Sequence, residues 1–279
     1  MIRSLLRLLV AAALLAPALP AQESGAGKPA EARRQARFLA IGDSPPYAQE
    51  ISDGVRYELE PPADSIPPRQ VTTSADGQAA STVELRLGRI SGPVKVPPGA
   101  GPFDLRKIGS NPQDPANPQS APWLRLNRPE KGNFLALLFR PSGKGTWLEP
   151  AHLVLPEGTV DSLRIINLLP VPARIVWAGE SSLLAPGKIQ EHRIEPGGSV
   201  PFQIYTAGAD GAAKRHYAGT ATQNPGERGL VLIYPADGTS PRRPVKVSML
   251  REPVQARTGL SADGAVEGLL PPPATATPP

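Results

Sequence analysis

The chain has 279 residues, of which 36 are Pro, 27 Gly, 3 His and none Cys. Proline and glycine fill about 23% of positions, roughly twice the ordinary share, while 40% of residues are hydrophobic and 5% aromatic. That excludes a mainly helical protein, any disulfide and any cysteine-based site, yet leaves enough apolar side chains for a core; the formal charge of +5 comes without a basic stripe or nucleic-acid motif, so no nucleic-acid partner is expected.

The chain opens with Arg3 and Arg7, then an unbroken apolar run from Leu8 to Leu15, then Ala16-Pro17-Ala18. A positive head, a short apolar stretch and a small-x-small site read as a secretory signal peptide over residues 1–21, with cleavage after Ala18 or Ala21. Its removal leaves 28 basic against 25 acidic residues, a net charge of +3. No later stretch is long and apolar enough to form a transmembrane helix. The expected location is therefore the periplasm or the cell surface and exterior, where a cysteine-free chain suits a bacterial envelope protein better than a small eukaryotic secreted domain.

Residues 22–36 are small and polar and read as a linker. FLAIG (38–42) and VRYELE (55–60) read as short strands, the second half-buried, with Val55, Tyr57 and Leu59 on one face. Residues 73–81 read as a loop, VELRLGRI (83–90) as an alternating strand and 109–122 as a long Asn/Pro/Gln loop. WLRL alternates, FLALLF (134–139) reads as a strand covered on both faces, and HLVLP follows. Then come SLRIINL, ARIVWAG, IQEHRIEP, VPFQIYTAG, KRHYAGT, GLVLIYPADG and PVKVSML, seven short segments that each end at Pro, Gly or Asp-Gly. Asp210-Gly211 and Asp237-Gly238 read as hairpin turns. The fold class that follows is all-β: two tandem antiparallel β-sandwich (Ig-like) domains with disordered termini, a first β-domain at 37–157, a second at 160–250 and a disordered Pro-rich tail at 251–279.

Two pairings suggest an internal repeat. Leu85-Arg86 before Pro93-Val94 parallels Leu163-Arg164 before Pro170-Val171, and FLALLFRPSG before Pro150 and HLVL parallels GLVLIYPADG before Pro244 and VKVS. The stretches Phe134–Arg140, Lys144–Trp147, Leu153–Pro156, Arg164–Leu168 and Ala185–Lys188 carry an apolar strand, a Lys-x-Trp segment, an LVLP strand, an R-x-x-N-L strand and an APGK turn. In these it resembles a group of signal-peptide-bearing, β-rich bacterial proteins, over roughly 80–250. The resemblance implies a secreted β-rich architecture and no particular activity.

Few residues offer chemistry. FLAIGDSPP (38–46) resembles the first block of the GDSL/SGNH esterases, which would make Ser44 a nucleophile. That family's base lies in a late Asp-x-x-His, and none of His152, His192 and His216 has that context, so the hydroxyl lacks an activating partner. The histidines, 40 and 24 residues apart, form no metal-ligand pair, so neither metal nor cofactor is expected. Glu58 and Glu60, as a glycosidase pair, share one strand face and read as solvated. The weak binding candidates are Trp147, placed after Lys-Gly-Thr in an apparent turn, and Arg242 and Arg243 of the basic SPRRPVK segment (240–246); Trp123 and Trp177 read as core. The expectation is a non-catalytic exported envelope or surface protein, binding an envelope protein or surface glycan or serving structure. The alternative is an extracytoplasmic hydrolase, esterase or glycosidase, with an unrecognised site. Mass spectrometry of the secreted protein should find an N-terminus at Leu19 or Gln22; an intact Met1 in a cytoplasmic fraction would contradict export.

Overall fold

The computed structural model describes residues 34–45, 48–75, 78–109, 121–141, 146–208, 210–237 and 243–254. The signal segment, most of the linker, the interior of the 109–122 loop, Arg242 and all but the first few residues of the tail lie outside them. Among the described residues the chain is all-β, with no helix. Its strands are β1 (Gln35–Ile41), β2 (Gln49–Ser52), β3 (Val55–Glu58), β4 (Gln70–Ala75), β5 (Gln78–Glu84), β6 (Val94–Lys95), β7 (Gly101–Lys107), β8 (Leu124–Arg128), β9 (Phe134–Phe139) and β10 (Ala151–Pro156). They continue with β11 (Ser162–Asn167), β12 (Ala173–Trp177), β13 (Glu180–Leu184), β14 (Ile189–Arg193), β15 (Ser199–Ala207), β16 (Ala213–Thr222), β17 (Glu227–Pro235) and β18 (Val245–Pro253).

Four four-stranded sheets have the orders β10-β9-β1-β6, β5-β4-β7-β8, β14-β11-β17-β18 and β13-β12-β15-β16, and β2-β3 stands alone as a hairpin. Two pairings are parallel, β1 with β9 and β11 with β17, where the sequence suggested antiparallel sheets throughout. Parallel neighbours need a long crossover and sit between covered layers. Their residues alternate between two cores. Phe38 and Ala40 of β1 and Phe134, Ala136 and Leu138 of β9 join Phe103, Leu105 and Leu126 of the β5-β4-β7-β8 sheet. Their neighbours Leu39, Ile41, Leu135 and Leu137 turn the other way and meet Ile166, Leu168, Leu230 and Leu232. Beyond that layer Ile165, Val231 and Ile233 pack on Ile175, Phe202 and Ile204. FLALLF is continuously apolar because alternate residues serve different cores.

The strand orders repeat. Replacing β1 and β4–β10 by β11–β18 in turn converts the first two sheets into the last two. The pairing registers match as well: Arg37 lies opposite Leu135 and Arg164 opposite Leu230, while Leu155 pairs with Leu135 and Leu250 with Leu230. The parallel between FLALLF–HLVL and GLVLIY–VKVS falls on equivalent strands. The parallel between Leu85 and Leu163 does not, since Leu85 follows β5 whereas Leu163 sits in β11. At one end of the shared layer a ring of charges closes it. Glu157 lies 3.2 Å from Arg37 and 2.8 Å from Arg228, and Glu252 pairs with both arginines as well. Burial raises the Glu157 carboxyl, but the Asn133 amide and the two guanidinium groups outweigh it and hold it below its ordinary value. Burial and the neighbouring Arg228 lower Arg37 to about 10, still charged at neutral pH.

Several local expectations shift. The linker ends early: β1 starts at Gln35, and the Arg34 guanidinium bonds the carbonyls of Pro97, Gly99, Pro129 and Gly132. Residues 73–81 hold most of a hairpin, with Thr73 opposite Ser81; its small Thr, Ser and Ala side chains gave little strand signal. Of 83–90 only Val83 and Glu84 lie in a strand; Leu87 and Ile90 make isolated bridges to β1, and Arg86 bridges Arg89. β7 escapes a pattern search because Asp104 interrupts it, yet Asp104 is buried in a two-pronged bond from Arg125 (2.7 and 2.9 Å). β18 runs to Pro253, three residues past the expected boundary at 250. The APGK turn closes on Asn167, which accepts Gly187 N–H at 2.8 Å through its backbone and donates from its buried amide to Val171 and Leu184. Leu137→Ala, at a 0% exposed position between two sheets, should cost about 2–5 kcal/mol in urea denaturation, and Leu183→Ala, 72% exposed, less than about 0.5 kcal/mol.

Candidate functional site

Among the described residues, the one element with no place in the repeated plan is the β2–β3 hairpin. It is inserted between β1 and β4, whereas β11 runs into β12 through five residues. Asp53 and Gly54 at its tip both have positive φ, 52° and 79°, the type I′ geometry that Asp-Gly favours. The register pairs Ser52 with Val55, Ile51 with Arg56, Glu50 with Tyr57 and Gln49 with Glu58. All eight strand residues are exposed, including Ile51 at 65%, Val55 at 51% and Tyr57 at 53%, and Leu59 follows at 43%. VRYELE therefore alternates as expected, but its apolar face meets solvent rather than a core. The hairpin carries Glu50, Asp53, Glu58 and Glu60 against Arg56, a net of −3 in a chain that is basic overall. Leu59 N–H donates to Ala48 O at 2.9 Å at its base, and further along, Asp64 accepts the Trp147 N–H at 2.7 Å through its carbonyl and pairs with Lys107 at 2.9 Å. An open groove of about 580 Å³ is walled by Asp64, Ile66, Pro67, Arg69, Glu84 and Ile108.

A second cluster gathers where β1, β9 and β17 end. Arg140, just past β9, has a side chain 6% exposed. It donates to Asp43 O at 2.9 Å and Ser65 O at 3.3 Å, pairs with the Asp237 carboxylate, and lies 5.8 Å from the Trp147 ring centre. Asp237 also accepts the Asp43 N–H at 2.6 Å, and Lys246 lies 3.5 Å from the Asp43 carboxylate. Burial raises the Tyr234 hydroxyl above its ordinary value, with the Asp43 and Asp237 charges adding to it. At Gly42 a Cβ would sit 3.1 Å from Asp237 Oδ2 and 3.3 Å from Arg140 Nη2. The Gly-Asp of FLAIGDSPP thus clips three strand ends together. Sequence reasoning missed Arg140 and Asp237, whose partners lie 97 residues apart along the chain; the one signal was that each follows an equivalent apolar strand.

The sequence candidates fall in different places. Trp147 is 0% exposed, so it belongs to the core rather than to an exposed turn, and its Nε1 is buried with no hydrogen-bond partner among the described residues. Trp123 is buried and donates to Trp147 O at 2.6 Å; Trp177 is half-buried and stacks on His192, ring centres 4.0 Å apart. Arg243 is exposed, and Arg242 lies outside the described residues. Ser44 is exposed, next to the clip. His216 bonds Thr206 at 2.7 Å, and His152 sits on β10 opposite Leu138; burial lowers all three histidines, with Lys214 adding to the effect at His216. Glu58 and Glu60 are both exposed. Among the described residues no three of His, Asp or Glu gather into a metal-binding group.

No family model matches the chain, and no curated protein matches it. Asp237→Ala removes a carboxylate paired with the buried Arg140 guanidinium and should cost about 3 kcal/mol in urea denaturation, while Ser44→Ala, at an exposed position, should leave the midpoint unchanged.

Proposed function

We propose that this chain is exported by the general secretory route and works in the periplasm or at the cell surface as a non-catalytic protein that binds an envelope protein or surface glycan. In this reading it is built of two tandem Ig-like β-sandwich domains over 37–157 and 160–250. The repeated strand order and the two separate cores, one around Phe103 and one around Phe202, support the tandem reading. The positive head, short apolar run and small-x-small pattern of residues 1–21 support export.

The observation that carries the binding reading is the β2–β3 hairpin. It adds nothing to either core, yet it holds Ile51, Val55, Tyr57 and Leu59 in water on a hydrogen-bonded hairpin. Exposed apolar side chains on an inserted element are the mark of a contact surface. The test pairs retention with turnover. The immobilised chain should retain an envelope protein or glycan from its host's extract, and a variant with 49–58 replaced by a short Gly-Ser loop should not. Neither should hydrolyse a panel of esters and glycosides. Equal retention by the loop variant, or turnover abolished by Ser44→Ala or by Glu58→Gln, would overturn the reading.

A further inference from the structure

The geometry points to a second copy of this chain as an occupant of the outer edge of β3, joined antiparallel about a two-fold axis at Tyr57. This deepens the binding reading and rests on the same hairpin.

The backbone is the first ground. Leu59 N–H donates to Ala48 O at 2.9 Å, so Ala48 and Leu59 form a hydrogen-bonded pair. Such pairs alternate along an antiparallel ladder. With the register given above, Tyr57 turns its backbone groups inward to β2, and Arg56 and Glu58 turn theirs outward. β3 pairs only with β2 among the described residues, and neither Lys nor Pro, the usual guards of a strand edge, occurs within Val55–Glu58.

The side chains are the second ground. Set antiparallel with Tyr57 on the axis, β3 of one copy places Arg56 opposite Glu58 of the other, twice by symmetry, and Val55 opposite Leu59. Arg56 and Glu58 are the residues whose outward backbone groups would exchange hydrogen bonds. The apolar contacts Val55–Leu59 and Tyr57–Tyr57 fall on one face and the two ion pairs on the other, because residues two apart share a face. The match is self-complementary, as a two-fold contact requires. It also turns an isolated hairpin, marginal on its own, into the centre of a four-stranded sheet. Arg56 thereby acquires a role: it is the one cation in an acidic hairpin and it lies where Glu58 needs it. The contact spans one short strand from each copy, so the dimer is expected at the weak end of interface sizes and to grow with concentration.

Sedimentation velocity on the purified chain over a wide concentration range tests this, with melting temperature as the check on folding. The wild type should pass from monomer to dimer. Arg56→Glu should raise the midpoint concentration at least tenfold, and the swap Arg56→Glu with Glu58→Arg should restore it. Arg56→Pro removes both the guanidinium and an outward N–H and should abolish the dimer without lowering the melting temperature. A chain that stays monomeric throughout, a dimer indifferent to Arg56→Glu, or a swap that fails to restore association overturns the proposal. A monomeric chain that still loses its envelope partner when 49–58 is replaced would refute the second copy and leave the broader binding reading standing.

Discussion

Two pairs of parallel strands, β1 with β9 and β11 with β17, are covered on both faces, and the rest of the structure follows from that. A strand between two layers has no solvent side on which to place polar residues. Alternate residues must therefore feed two different cores. Phe38 faces the core around Phe103, and Leu39 faces the layer shared with Leu232. Each half of the chain supplies one such pair, and the two pairs lie against each other through Leu39, Leu137, Ile166 and Leu232. Neither half could lose that layer without exposing a row of leucine and isoleucine.

Double-sided burial moves the polar work to strand ends. Arg37 emerges at one end of the shared layer, where Glu157, Arg228 and Glu252 surround it. Arg140 emerges at another and is held by Asp43, Ser65 and Asp237. Inside, Asn167 is fully buried but spends both amide hydrogens and its oxygen on nearby backbone groups. A buried polar group is tolerable when it is bonded and costly when it is not. These clusters tie strand ends together, and the Gly-Asp before Ser44 is part of one of them.

The hairpin stands outside this economy of burial. The second half of the chain closes the same strand order without one, so the fold does not require it. Its tip is set by two positive-φ residues and its base by the Ala48–Leu59 bond. An ordered element that keeps four large apolar side chains in water has its stability settled elsewhere and its surface left available.

The sequence by itself determined the all-β class and most strand positions. Alternation in WLRL, the unbroken apolar run of FLALLF and the Pro/Gly punctuation after residue 160 depend on local geometry, and local geometry is legible one segment at a time. It also carried half of the repeat, because β9 and β17 keep the same apolar pattern. Tertiary structure decided which face of each strand meets which core. VRYELE has the alternation of a half-buried strand and none of the burial, since burial depends on what lies opposite and nothing lies opposite β3 in the described chain. Trp147 has the flanks of an exposed turn and is fully enclosed, because Arg140, just past β9, and Trp123, just before β8, lie against it. The parallel pairings, the charge ring and the Asp43–Arg140–Asp237 clip join residues far apart in the chain. No local period encodes such contacts, because they arise only when the strands are stacked.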